Sequence, residues 1–159
     1  MFGNTLRYNL DPIGRYEDSA IWRAIELVGL KHTVDNMPGG LDAMISDSGD
    51  NVSVGQRQLF CFARALLRKC KILVLDEATA SIDNESDDTI QHMVRTVFKD
   101  CTILTIAHRL NTIADSDRIL VLDQGNLAEN DSPAALKAID GGLYAALLAS
   151  HEQAHKDDE

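Results

Sequence analysis

Lys71-Ile72-Leu73-Val74-Leu75-Asp76-Glu77 is the stretch on which the fold turns. An aliphatic run this short, closed by two acids, is predicted as a parallel strand buried on both faces rather than a helix. Beyond it, Ile90, Met93, Val94 and Val97 mark one face of a helix. Its start carries Asp83, Glu85, Asp87 and Asp88, acids that favour a helix N-terminus. Thr102 to Ala107 is the next strand, and strand–helix–strand is the grammar of an α/β fold.

The flanks extend this frame. A helix is predicted from about Val54 to Leu67, with Leu59, Phe60, Phe62, Ala63, Leu66 and Leu67 as its stripe. Ser53 can cap its first turn, and Arg64, Arg68 and Lys69 sit near its negative end. Residues 17–30 read as an earlier helix stopped by Gly29, and residues 31–52, with Pro38-Gly39-Gly40, read as loop. Downstream, Arg118 to Leu122 and Asn126 to Glu129 read as further strands, a hairpin or a strand pair, joined through Asp123-Gln124-Gly125, and Ser132-Pro133 opens a helix. The tail, residues 151–159, is polar and expected to be loose, with His151 and His155 solvated.

Composition narrows the function classes. The 159 residues, 45% hydrophobic and 25% charged, suit one globular unit rather than a disordered chain. A formal net charge of -10 opposes nucleic acid or anionic lipid as the main partner; Arg64, Arg68, Lys69 and Lys71 form the one local basic cluster. Cys61, Cys70 and Cys101 have neither metal-ligand spacing nor an even count, which favours a reduced, cytosol-facing compartment. No apolar run is long enough to cross a bilayer, so direct membrane insertion by this segment is not expected.

The chemistry-bearing residues lie at element ends. Ser53, Val54 and Gly55 at a helix N-terminus can hold a phosphate through backbone amides and one hydroxyl, though taken alone Ser53 reads as a cap and Gly55 as a turn residue. Asp76-Glu77 closes a strand at the carboxyl end where ligands of open α/β sheets gather. Asp76 suits magnesium and Glu77 suits polarising a water for attack on phosphorus; in isolation the pair reads equally as the start of a solvated loop. His108, after the next strand, can reach the same crevice, although a lone histidine there is more often structural. No G-x-x-x-x-G-K-[ST] phosphate loop occurs in the sequence.

Order and spacing join these parts. Val52-Ser53-Val54-Gly55-Gln56, Ile72 to Asp76, Glu77, Ser81-Ile82-Asp83 and His108 together resemble the ATPase domain of ATP-binding-cassette transporters, over nearly everything from Phe2 to about Ala149. By that resemblance they are the signature, the Walker B strand, the catalytic glutamate, the D-loop and the switch histidine. Arg7-Tyr8-Asn9-Leu10-Asp11-Pro12 and the valine at Val54 look like the multidrug-resistance-associated subfamily C, and Glu77 looks like its second cassette. Val52 stands where leucine is usual, a conservative exchange.

The resemblance implies the C-terminal part of a P-loop NTPase three-layer αβα sandwich with an attached helical signature subdomain. Its expected layout is residues 1–70 mainly helical, 71–150 from Walker B to the end of the catalytic core, and 151–159 the polar tail. The Walker A loop, the adenine-stacking aromatic and the Q-loop glutamine would lie upstream of Met1, which would then be an internal methionine. Cofactors would be ATP and Mg. Ser53, Val54, Gly55 and Gln56 would serve an ATP held by a partner cassette closed head to tail on this one. Asp76, as metal ligand, with Glu77 and His108 would serve the ATP of this cassette, and Asp83 would couple the two sites. Transmembrane domains of the parent transporter would place the segment at the cytoplasmic face of a membrane, exporting organic anions, drugs or conjugates. Two other classes remain: a catalytically inactive half-cassette acting as a binding or dimerisation module, and a chromosome or repair ATPase of the same superfamily. The latter is disfavoured because no sustained heptad pattern precedes Val52.

Overall fold

The computed structural model describes residues 1–76, 84–106 and 110–157, with backbone alone for 84–89, 111, 151–152 and 154–157. Two compact units emerge, Met1–Ile106 and Ala107–Glu159.

The first unit begins with β1 (Asn4–Thr5), α1 (Leu6–Leu10), α2 (Asp18–Leu27), α3 (Lys31–Asp35) and β2 (Met44–Ile45). It continues through α4 (Val54–Arg68), β3 (Ile72–Asp76), α5 (Asn84–Thr96) and β4 (Thr102–Ile106). Its core lies where α2 and α4 pack together. Ile21, Ala24 and Ile25 of α2 and Phe60, Phe62 and Ala63 of α4 are buried there with Leu6 and Leu10 of α1. From α5 come Ile90 and Met93, and Phe98 follows it, its ring 5.8 Å from that of Phe62. The apolar stripes predicted for α4 and α5 are the faces that are buried, as 3.6-residue periodicity requires.

Asn9 explains why the subfamily-type run Arg7 to Asp11 matters to the fold. It is buried, its Oδ1 accepts from the Phe2 amide at 2.8 Å, and its Nδ2 donates to the Phe2 and Thr5 carbonyls at 2.9 and 3.0 Å. One side chain thus satisfies backbone groups of Phe2, before β1, and of Thr5, within it. Asp11, also buried, accepts from the Tyr16 amide at 2.8 Å, and Arg7 forms an ion pair with Asp18 and a longer one with Asp42 at 3.4 Å.

β3 and β4 pair in parallel, from Ile72↔Thr102 to Asp76↔Ile106. The expectation that β3 is buried on both faces is corrected here. Leu73, Leu75 and Ile103 pack against the core, whereas Ile72 and Val74 are 66% and 58% exposed. Leu104 and Ile106 of β4 are exposed with them. Alternate strand residues point to opposite faces, and only one face of this pair meets a packed layer among the described residues.

The region 31–52, read as loop, holds more order than expected: α3, a 3₁₀ turn at Gly40–Asp42, and β2, which pairs antiparallel with β1 through Asn4↔Ile45 and Thr5↔Met44. Elements of two to five residues carry too little periodicity to register in sequence.

The second unit consists of β5 (Ile119–Asp123), β6 (Asn126–Asp131), α6 (Pro133–Lys137) and α7 (Leu143–Asp157). β5 and β6 form the predicted hairpin, closed by Gln124 and Gly125 at φ 48° and 80°. Positive φ at both central residues is the hairpin turn whose twist matches the strands, and Gly125 takes it without cost. Ser132 caps α6 by accepting from the Ala135 amide at 3.3 Å, with Pro133 at the first helical position. Glu129 of β6 caps α7 from a distance in sequence, its carboxylate accepting from the Leu143 and Tyr144 amides at 2.7 and 3.1 Å. Ile119, Val121, Leu136 and Tyr144 form the core of this unit. The loose tail expected from His151 is instead helical through Asp157, as a continuation of α7.

Candidate functional site

The candidate phosphate-facing turn is the first turn of α4. Ser53, in extended conformation, is its N-cap: Ser53 Oγ accepts from the Gln56 amide at 3.1 Å, and Gln56 Oε1 accepts from the Ser53 amide at 3.0 Å. This reciprocal capping box was legible as S-x-x-Q, yet only the serine half was anticipated. It satisfies the amides of Ser53 and Gln56. Helix geometry leaves those of Val54 and Gly55 without an intrahelical carbonyl. The Ser53 hydroxyl keeps its own proton free to donate, because in the box it only accepts. Ser53 and Val54 are exposed and Gly55 is buried, so the accessible part of the turn is its first two residues.

The loop leading into this turn is braced by residues that sequence reading missed. Asn51 Oδ1 accepts from the Ser46 amide at 3.0 Å while its Nδ2 donates to the Met44 carbonyl at 2.9 Å. Arg57, one turn into α4, donates to the Gly49 carbonyl at 3.1 Å. Gly49 has φ 76°, which L side chains rarely adopt, and a Cβ there would press on Arg57 Cδ at 2.9 Å and Met1 Cγ at 3.1 Å, so a larger residue would displace the Arg57 brace. The run Asp47-Ser48-Gly49-Asp50-Asn51 carries the turn-forming signal from which the brace follows. Val52, buried beside it, anchors the turn to the core.

Asp76 stands at the carboxyl end of β3 and is exposed; its register partner on β4 is Ile106. Its carboxylate is an oxygen donor of the kind a hard divalent cation takes. Glu77, Ser81 to Asp83 and His108 lie outside the described residues. In sequence, Glu77 follows the last residue of β3 and His108 is the second residue after β4. The described geometry therefore brings Ser53, Val54, Gly55 and Gln56 together in one turn and places Asp76 at the end of a parallel strand pair.

Residues 3–80 match the family model described as ABC transporter. The chain is 62% identical over 144 residues to "ATP-binding cassette sub-family C member 3" of Rattus norvegicus, covering 91% of this chain and 10% of the relative. The chain belongs to the ABC transporter family, subfamily C. It is likewise 58% identical over 148 residues to "Metal resistance protein YCF1" of Saccharomyces cerevisiae, covering 92% of the chain and 10% of the relative. The solved "Structure of a bacterial Atm1-family ABC exporter with ATP bound" superposes with a TM-score of 0.85 at 36% identity, over 95% of this chain and 26% of that one. This ABC transporter chain thus spans about a tenth of the length of the curated relatives it matches. It is ABC transporter ATPase-domain sequence with the α/β fold of the P-loop NTPase class. Among its described residues no helix is long and apolar enough to cross a membrane.

Proposed function

We propose that residues 1–159 are the signature-to-switch part of an ATP-hydrolysing cassette, the second of two, in a transporter that exports organic anions, drugs or conjugates. The observation that carries this reading is the parallel register Asp76↔Ile106. It sets side by side the two strand ends that run on in sequence to Glu77 and to His108.

ATP, with magnesium neutralising its phosphates, supplies the phosphoryl group when bound. Asp76 holds the cation through its carboxylate, directly or through water. Glu77 takes the proton of the attacking water, and His108 steadies that water or the terminal phosphate. Asp83 couples this site to its counterpart across the dimer. On the partner's nucleotide, Ser53 donates its hydroxyl hydrogen while the Val54 amide faces the phosphate at the positive end of α4; Gly55, buried, lets the backbone turn there, and Gln56 holds the turn in shape. The partners are a second cassette, closed head to tail, and the membrane-spanning domains of the transporter; neither nucleic acid nor direct insertion into lipid has a part. The place of action is the cytoplasmic face of a membrane.

The test is a graft of residues 3–149 into the second cassette of human "ATP-binding cassette sub-family C member 3", which is 60% identical over 144 residues. Magnesium-dependent ATP hydrolysis by the purified chimera is expected. A folded chimera that binds ATP without hydrolysing it would overturn the proposal.

A further inference from the structure

Cys70 and Cys101 stand at the starts of β3 and β4, at the opposite ends of those strands from Asp76 and Ile106. The Cys101 thiol donates to the Cys70 carbonyl at 3.0 Å, and the ladder begins beside them with the Thr102 amide donating to the Lys71 carbonyl at 2.8 Å. Both are free thiols, half-buried, and both pack against the same core. Cys70 and Cys101 precede the first register pair, Ile72↔Thr102, by two residues and one, so neither is held in the alternation of the ladder; the contact between the Cys101 sulfur and the Cys70 backbone, with both side chains on the same core, is the proximity that a disulfide needs.

We infer that Cys70 and Cys101 are an oxidation site that hydroperoxides convert to an intrachain disulfide, stapling the starts of the two strands. The Cys70 thiol gives its proton to solvent and the thiolate attacks one oxygen of hydrogen peroxide; the O–O bond breaks, a sulfenic acid forms, and the departing hydroxide takes up a proton and leaves as water (an organic hydroperoxide would release its alcohol instead). The Cys101 sulfur then attacks the Cys70 sulfur; the S–S bond forms, the sulfenic oxygen leaves, takes up the Cys101 proton and departs as the second water. Two electrons pass from the thiol pair to one peroxide. The order of roles follows from the surroundings. Burial, and then the adjacent Cys70 thiol, hold the Cys101 pKa above the usual thiol value. A thiol so held, and donating to a carbonyl, is the resolving partner rather than the one that reacts first with peroxide.

Cys61 makes the inference discriminating. It is exposed, and only 9 residues from Cys70, whereas Cys101 is 31 away. Closure entropy in a flexible chain favours the shorter loop by about sixfold. A dominant 70–101 link can therefore come only from the fold.

The experiment treats the reduced chain with one equivalent of hydrogen peroxide, alkylates the remaining thiols, and reads intact mass and tryptic peptides. The expected product is 2 Da lighter before alkylation. It carries a single alkyl group, on Cys61, and links Cys70-Lys71 to the peptide Asp100 to Arg109. Dithiothreitol restores three alkylation sites. The same treatment in 6 M guanidinium should shift the product to Cys61–Cys70. C61S should keep the native link, and C70S and C101S should each abolish it. A native chain giving mainly Cys61 links, intermolecular dimers, or sulfinic acid at Cys70 with Cys101 still alkylated would overturn the inference, and the wild-type measurement alone decides it.

Discussion

Substitution of Ser53 separates what the first turn of α4 does for folding from what it does for a nucleotide. Ser53→Ala removes the Oγ that accepts from the Gln56 amide at 3.1 Å and opens the capping box. Loss of such a cap costs about 1 kcal/mol. With a urea m-value of ~1–3 kcal/mol/M, the midpoint of residues 1–159 should fall by roughly 0.3–1 M. Ser53→Asp behaves differently. Aspartate caps as well as serine and its charge suits the positive helix end, so the midpoint should stay within a few tenths of a molar of wild type. A negative charge ~4 Å from a phosphate, at an effective dielectric near 20, opposes binding by up to about 4 kcal/mol per charge. ATP held by the partner cassette of the chimera, followed by nucleotide photolabelling, should therefore weaken at least tenfold in Ser53→Asp. In Ser53→Ala it should weaken by only a few-fold. Equal ATP retention in Ser53→Asp and wild type would refute the assignment of this turn to a phosphate. An Ala variant as stable as wild type would refute the capping argument instead.

Three further outcomes follow from the packing and the charges. Asn9→Ala should lower stability by roughly 1–3 kcal/mol in urea unfolding, because the Phe2 amide and the Phe2 and Thr5 carbonyls, partly shielded from water, lose their buried partner. Asp18→Asn should lower the urea midpoint at pH 7 and have no effect in strong acid. The hydrogen bond from Arg7 holds the Asp18 pKa below its ordinary value of 3.8, so that contribution is present above 3.8 and is lost as pH falls through the folded pKa. Being a surface pair, it should also fade with added salt. Val74→Thr together with Leu104→Thr, on the exposed strand face, should reduce light scattering of the isolated chain while leaving its urea midpoint nearly unchanged; Leu73→Thr on the core face should unfold it.

How much of this was legible in the sequence depended on period and length. The α4 stripe from Leu59 to Leu67 and the hairpin turn at Gln124-Gly125 carry strong local signals, and the structure follows them. The exposed face of β3 was misread because Ile72 to Leu75 is continuously apolar, and an apolar run does not say whether a second layer covers it. The α7 extension past His151 was missed because its final turns are polar, where propensity speaks weakly. In the site, Ser53 was recognised as a cap and Asp76 as a strand-end acid. The Asn51 and Arg57 brace was not, since side-chain-to-backbone bonds inside an irregular loop have no periodicity to announce them. The short run Arg7 to Asp11 looked like a subfamily mark; its physical content is the hydrogen bonding of Asn9 and Asp11.

The most direct test of the account is Glu77→Gln in the grafted cassette, measured as ATP hydrolysis beside ATP binding. Loss of a positioned general base should reduce turnover by ~10²–10⁴-fold. Binding should survive, since glutamine keeps the shape and removes only the proton acceptor. Hydrolysis at the wild-type rate in that variant would contradict the account.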